Sequence, residues 1–119
     1  MHSIGIDLIK NSRFNDLINN KSFLNKVFNN NELDYIKQSN YSINTISGLY
    51  AAKEAFLKAI KKGINNYSLK DIEVIHDNNN APSIILHNEL NKLYNDYNIS
   101  LSISHDGDYT TAIVLIEIN

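Results

Sequence analysis

One segment constrains this chain more than any other. Between about Ile43 and Lys62 the apolar residues Ile46, Leu49, Tyr50, Phe56, Leu57 and Ile60 recur at helical spacing. Gly63, just after Lys61 and Lys62, reads as the stop. On a wheel of ~100° per residue, Ile46, Leu49, Tyr50, Leu57 and Ile60 share one arc. Lys53 falls inside that arc, with Glu54 and Lys58 at its edge. A buried ammonium needs a partner or must lose its proton. For an isolated lysine the expected escape is a packed stem with the head snorkelling out. Glu54 and Lys58 stand one turn apart in the favourable order for an ion pair, worth ~0.2–0.5 kcal/mol. They read either as that pair or as charges presented to a ligand.

The other elements are short. "SIGIDLI" at 3–9 reads as a buried strand. Residues 11–19 read as the start of a helix capped by Asn11 or Ser12, and 22–28 as a helix with Ser22 as cap. Residues 30–38 read as a helix with Asn30 or Asn31 as cap ahead of Glu32. Residues 71–77 and 81–87 read as a hairpin across the asparagine turn, and 88–97 as a short amphipathic helix. Residues 99–105 and 110–118 read as strands joined by "DGDY". Helices and strands mix without regular βαβ alternation. The expectation is an α+β fold, one domain over 1–119, with an antiparallel sheet packed on the long helix.

At 119 residues the margin for a self-sufficient core is thin, and association would help. With no cysteine, disulfides and thiolate metal sites are excluded, and a metal would sit among oxygen or imidazole donors. The net charge of −2 argues against broad nucleic-acid binding. No apolar run reaches membrane-spanning length and no signal peptide opens the chain, so a cytoplasmic protein is expected. Basic residues gather locally: Lys10, Arg13, Lys21 and Lys26 near the start, then Lys53, Lys58, Lys61 and Lys62. That pattern suits a small anionic ligand or an acidic protein partner.

Asp7 lies inside an isoleucine-rich strand, where a carboxylate is costly unless paired or metal-bound. It reads either as a cap for the following helix or as a metal ligand. With Glu54 it offers two hard oxygens to Mg²⁺, which keeps waters and completes its shell with substrate phosphates. Lys58, Lys61 and Lys62 would offset phosphate charge, and Gly63 would let backbone approach a phosphate. His105 closes an apolar strand and reads as a phosphate donor, a general base or a plain turn histidine. His2, His76 and His87 lack ligand spacing and read as incidental.

These stretches together resemble the short 4′-phosphopantetheinyl transferases, the holo-[acyl-carrier-protein] synthases. The matching pieces are "IGIDLI" at 4–9 followed by Arg13-Phe14, "GLYAAKEAFLKAI" at 48–60, "GI" at 63–64, "DIEV" at 71–74, "AP" at 81–82 and "SISHDGDYTTAIVLIE" at 102–117. The resemblance implies Mg²⁺-dependent transfer of phosphopantetheine from coenzyme A to a serine of apo acyl carrier protein. Adenosine 3′,5′-bisphosphate would leave, in support of fatty acid biosynthesis. It implies Asp7 and Glu54 as Mg²⁺ ligands and, with Lys58, as the catalytic set. Lys58 and His105 are implied at the phosphates, Pro82 beside the nucleotide, and Arg13, Lys21 and Lys26 at the acidic carrier protein. It further implies a homotrimer with the nucleotide site between subunits. The proton acceptor stays open among a metal-bound water, Glu54 and Asp106. The chain departs from the common "AGRFAAKEA" by Leu49 in place of arginine, and has "KKG" and "NAP" where "GTG" and "GKP" are usual. Two alternatives remain: a Mg²⁺-dependent phosphate-ester hydrolase using water, and a non-catalytic oligomeric binding module.

Overall fold

A computed structural model describes residues 1–61 and 67–118. Strand β1 (His2–Lys10) leads through a 3₁₀ turn (Asn11–Phe14) to the helices α1 (Lys21–Val27), α2 (Asn30–Gln38) and α3 (Ile43–Ala59). A second 3₁₀ turn (Leu69–Asp71) precedes β2 (Ile72–His76) and β3 (Pro82–Leu86). Helix α4 (Asn88–Tyr94), β4 (Tyr97–Asp106) and β5 (Tyr109–Ile118) follow. The α+β class and the antiparallel pairing agree with the sequence. The strands form two sheets rather than one, in the orders β1-β5-β4 and β2-β3.

Local chemistry moved several boundaries. Residues 11–19 form only the 3₁₀ turn and further turns, without an α-helix. The cap of α1 is Asn20, whose side chain accepts from Phe23 N at 3.0 Å, and not Ser22. The cap of α2 is Asn29, not Asn30 or Asn31. Its side chain accepts from Glu32 N, and Glu32 Oε1 accepts from Asn29 N, closing a capping box. Helix α3 ends at Ala59, and Lys61 turns into the left-handed region at φ 63°. The turn therefore comes before Gly63, which lies outside the described residues together with Lys62.

Helix α3 lies across the three-stranded sheet, touching β4 near its start and β1 near its end. Gly48 faces Ile103 and His105 of β4, while Ala55 and Ala59 press on Gly5 of β1. A Cβ at Gly5 would come within 2.0 Å of the Ala55 carbonyl oxygen. Only glycine permits this approach, and the Ser3 hydroxyl completes it by donating to the Ala59 carbonyl. The core that α3 carries includes Phe14, Phe28, Ile36, Ile46, Phe56, Ile72 and Ile116, all fully buried.

Lys53 does not snorkel. It is wholly buried, and its ammonium donates to Glu32 Oε1 (2.8 Å), Leu69 O (2.8 Å) and Ile72 O (2.6 Å). The partner is the capping-box carboxylate of α2, whose other oxygen accepts from Val74 N at 2.9 Å. Burial pushes the Glu32 carboxyl up and the Lys53 ammonium down, and the shared hydrogen bonds oppose both. The pair ties α3 to α2 and to the start of β2.

The outward face of β1 is apolar. Ile4, Ile6 and Leu8 are 61%, 59% and 67% exposed. Leu115 and Ile113 of β5 lie beside Ile4 and Ile6 in register, and Ser100 and Ser102 of β4 continue the same face. Alternation along β1 thus puts Gly5, Asp7 and Ile9 towards α3 and leaves a wide apolar strip without cover in the single chain.

Candidate active site

Asp7 sits in mid-strand, opposite Ala112 on β5, which removes the helix-cap reading. Its side chain is only 12% exposed. The close approach at Gly5 brings α3 over it. Lys58 Nζ donates to Asp7 Oδ1 and to the Ile6 carbonyl, both at 3.0 Å. The expected Glu54–Lys58 helix pair gives way to this cross-element pair, because the ammonium finds two acceptors on β1. Thr111 fixes the strand from the other side by donating to the Asp7 carbonyl at 2.8 Å.

Glu54 lies one turn before Lys58 and one turn after Tyr50. The Tyr50 hydroxyl is pushed up first by burial, then by the Glu54 charge and, more weakly, by Asp7, while Arg13 opposes them. Among the described residues no group of three or more His, Cys, Asp or Glu side chains gathers for a metal. Two carboxylates from facing elements, with a lysine beside them, fit a hard cation that keeps water and takes further oxygens from a phosphate. They would not make a closed structural site.

A second feature lies on the other side of α3, about 120° round the helix from Glu54 at Gly48. It is a cleft of about 220 Å³ that includes Gly48, Leu49, Pro82, His76, Ile103 and His105. His105 is held by a chain of hydrogen bonds. Its Nδ1 lies 2.7 Å from Thr110 Oγ1, that hydroxyl donates to Asn11 Oδ1 (2.7 Å), and Asn11 Nδ2 donates to Asn44 Oδ1 (2.9 Å). Since the Thr110 proton is committed to Asn11, His105 Nδ1 must be the donor. Nε2 is then left facing Gly48, free to accept when neutral and to donate when protonated. This is more than a turn histidine: Asn11 and Thr110 are buried and specify its tautomer.

The cleft also corrects the reading of His76. Its ring stacks on Tyr35 with centroids 4.3 Å apart and planes 4° from parallel, forming one wall. His87 is likewise engaged, 2.7 Å from Glu73 Oε1, while His2 stands 4.0 Å from Glu117. Burial pulls the Glu73 carboxyl up, but the hydrogen bonds of His87 and Asn31 outweigh it and leave the group below its usual value. Histidine spacing in the sequence could not reveal these contacts, because every partner comes from a different element.

Of the basic residues, Arg13 stacks its guanidinium 5.2 Å from the Tyr50 ring centre and 5.3 Å from that of Phe14. Lys21 opens α1 and is exposed. Lys26, in the last turn of α1, borders a cleft shared with Phe23, Tyr50 and Leu69. Lys61 is exposed just beyond α3. Asp7 and Lys58 are thus brought together and Arg13 is set against Tyr50, with Glu54 between Tyr50 and Lys58 on α3, whereas Pro82 and His105 line a cleft that contains neither carboxylate.

The sequence matches the 4′-phosphopantetheinyl transferase superfamily over residues 3–114. It is 39% identical to a holo-[acyl-carrier-protein] synthase of Clostridium botulinum (strain Eklund 17B / Type B), covering 99% of this chain and 98% of that protein. It is also 39% identical to one of Caldicellulosiruptor saccharolyticus, over 97% and 95%. Among solved structures it superposes on the Chronobacterium ammoniagenes synthase–coenzyme A complex with a TM-score of 0.87 and 29% identity, covering 100% and 98% of the two chains. The Helicobacter pylori synthase in complex with coenzyme A gives 0.85 and 32%, over 96% and 99%. The chain belongs to the 4′-phosphopantetheinyl transferase superfamily. Its curated relatives at this level are holo-[acyl-carrier-protein] synthases, matched over nearly their whole length.

Proposed function

We propose that this protein is a holo-[acyl-carrier-protein] synthase that moves the 4′-phosphopantetheine group of coenzyme A onto a serine of apo acyl carrier protein. The observation that carries the reading is the contact of Asp7 from β1 with Lys58 of α3, one helical turn after Glu54, in a chain that matches coenzyme A-bound synthases end to end.

Asp7 and Glu54 would hold Mg²⁺, which when bound supplies Lewis-acid polarisation of the diphosphate. Lys58, already at 3.0 Å from Asp7, supplies a cation at the edge of the site for phosphate oxygens. Pro82 and the His76–Tyr35 stack offer a flat apolar wall for the nucleotide end of coenzyme A, and His105 Nε2 offers a donor to phosphate when protonated. Lys61 and Lys62 follow α3 in the sequence and would add charge near the phosphates, and Gly63 would let backbone approach them. The carrier serine oxygen forms a bond to the phosphorus that bears pantetheine. The bond to the bridging oxygen breaks, and adenosine 3′,5′-bisphosphate departs. Positioning and charge supply most of the acceleration in such a transfer. Arg13, Lys21 and Lys26 form the basic approach for an acidic carrier protein.

The carboxylates and the His105 cleft occupy different sides of α3, so one chain holds two parts of a site. The apolar strip of Ile4, Ile6, Leu8, Ile113 and Leu115 offers a surface on which copies associate. A homotrimer that buries this strip and sets the cleft of one subunit against the carboxylates of the next joins both observations. No helix among the described residues is long and apolar enough to cross a membrane, and the proposed compartment is the cytoplasm.

The test is mass spectrometry of apo acyl carrier protein incubated with the protein, coenzyme A and Mg²⁺. The expected product carries one phosphopantetheine. Asp7→Ala and Glu54→Ala should each remove most transfer while the circular dichroism spectrum stays that of the wild type. Coenzyme A consumption without carrier modification would point to hydrolysis, and absence of any turnover would leave a binding module.

A further inference from the structure

Asn44 and His105 both line the cleft beside Gly48, and they are the two ends of one hydrogen-bonded chain. The chain runs through the interior and not along the surface. From His105 Nδ1 it passes to Thr110 Oγ1 (2.7 Å) and on to Asn11 Oδ1 (2.7 Å), then returns from Asn11 Nδ2 to Asn44 Oδ1 (2.9 Å). Its middle members are buried, Thr110 wholly and Asn11 to 4% exposure. Four elements contribute: β4, β5, the 3₁₀ turn after β1 and the first turn of α3. Interior polar side chains are costly unless each is paired, and here each is paired to the next.

The members of the chain set its direction. Thr110 gives its proton to Asn11, so His105 Nδ1 is the donor to Thr110. In an imidazolium both nitrogens carry protons, so Nδ1 donates in that state as well, and one direction serves both charge states of the ring. At the far end Asn11 spends an amide N–H on the Asn44 oxygen, so what Asn44 can offer the cleft is its own N–H groups. The two ends thus give one cleft two donors, the Asn44 amide and Nε2–H of the protonated ring. Phosphate oxygens accept several such donors at once, most strongly from a charged one. We propose that Asn11 and Thr110 are positioning residues for coenzyme A, which fix His105 and Asn44 as joint donors to one of its phosphates. This deepens the reading of the cleft as the seat of coenzyme A and rests on it. Asn11 and Thr110 act only through the two residues they hold.

The first measurement is the nitrogen-15 spectrum of the His105 ring in the ligand-free protein. The neutral wild-type ring should carry its proton on Nδ1. Thr110→Val keeps the shape of the side chain and removes the hydroxyl, so it should lose that preference, and Thr110→Ser should keep it. Coenzyme A binding is then measured by calorimetry without carrier protein. Thr110→Val should bind about 10- to 100-fold more weakly, the loss expected for a charge-assisted hydrogen bond, and Thr110→Ser should bind as the wild type does. Asn44→Asp changes an exposed residue in the first turn of a helix, where an acid is well tolerated. It still accepts from Asn11 but offers the cleft an acceptor in place of a donor. It should melt as the wild type does and bind coenzyme A at least about tenfold more weakly. In transfer assays both variants should raise KM for coenzyme A far more than they lower kcat. A neutral wild-type ring with its proton on Nε2 would overturn the proposal. So would unchanged coenzyme A binding by Asn44→Asp, which decides the matter even where Thr110→Val fails to fold. Equal losses in Thr110→Val and Thr110→Ser would also overturn it, since they would mark a packing role. A wild type that does not bind coenzyme A would overturn the reading of the cleft itself, an outcome separate from the ring spectrum.

Discussion

Replacing Lys53 with methionine should cost this protein a large part of its stability. The stem is preserved, but the ammonium is lost from three acceptors, Glu32 Oε1, Leu69 O and Ile72 O, none farther than 2.8 Å. Glu32 keeps the amides of Asn29 and Val74 yet loses its counter-charge in a fully buried place. Breaking a buried pair from one side costs ~3–5 kcal/mol, against a total of roughly 5–15 kcal/mol for an ordinary domain. At this chain length the melting point should fall by roughly 10–20 °C. Lys53→Met combined with Glu32→Gln should be more stable than Lys53→Met alone, because the stranded charge goes with its partner. The pH response follows from the same charge. Without the ammonium, burial raises the folded-state Glu32 carboxyl further above its ordinary 4.5. A group raised on folding favours the folded state below its unfolded pKa, and that advantage is lost as pH climbs through the folded pKa. The Lys53→Met deficit should therefore shrink in mild acid. Urea unfolding followed by circular dichroism, at fixed protein concentration and at neutral and mildly acid pH, measures each of these. A single variant within ~1 kcal/mol of wild type, or a double variant that sums two independent losses, would refute the reasoning.

Lys58→Ala should leave stability within the ~0–1 kcal/mol of an exposed ion pair while lowering kcat/KM about 10- to 150-fold. The larger effect corresponds to ~1.5–3 kcal/mol for a charged hydrogen bond to phosphate, and steady-state kinetics beside thermal melting separates the two. Arg13→Glu should raise KM for the carrier protein and flatten its rise with added salt, because steering between exposed charges is screened over ~8–10 Å. Gly5→Ala should cost ~1–3 kcal/mol or more and most of the transfer activity, because its Cβ meets α3 backbone that cannot yield. Gly48→Ala should fold normally, its nearest new contact being an ordinary 3.5 Å to a side chain.

Much of this was legible in the chain. The periodicity of 43–62 located α3 and put Lys53 inside its apolar arc, and the cost of a strand carboxylate singled out Asp7. Turn chemistry was readable too: in the asparagine turn Asp77 Oδ1 accepts from Asn79 N and Ala81 N, and Asn80 takes φ 64°. The failures came wherever a side chain's partner lay far along the sequence. Lys53 finds Glu32, Lys58 finds Asp7, and His105 finds Asn11 through Thr110, and no local rule connects any of these. Caps moved by one or two positions because several asparagines compete near each helix start, and tertiary packing chooses among them. Gly5 passed unremarked since a glycine in a strand has no local signature of the helix that presses on it.

The oblique course of α3 explains why the chemistry is divided. Gly48 lets the first half of the helix rest on β4, and Gly5 lets the last half close on β1, so one rigid rod touches both edges of the β1-β5-β4 sheet. The helix faces at Gly48 and at Glu54 stand about 120° apart, and the first of them meets β4. The His105 cleft on β4 and the Asp7–Lys58 pair on β1 therefore stand at opposite edges of the sheet, with β5 between them. The same alternation that turns Asp7 towards α3 turns Ile6 and Leu8 outward, 59% and 67% exposed. The strand that supplies the carboxylate thus also supplies the apolar face by which copies are proposed to meet. Under that proposal association and metal site are coupled: a charge placed at Ile6 to block assembly would sit next to Asp7 in the chain and at the carbonyl that Lys58 grips.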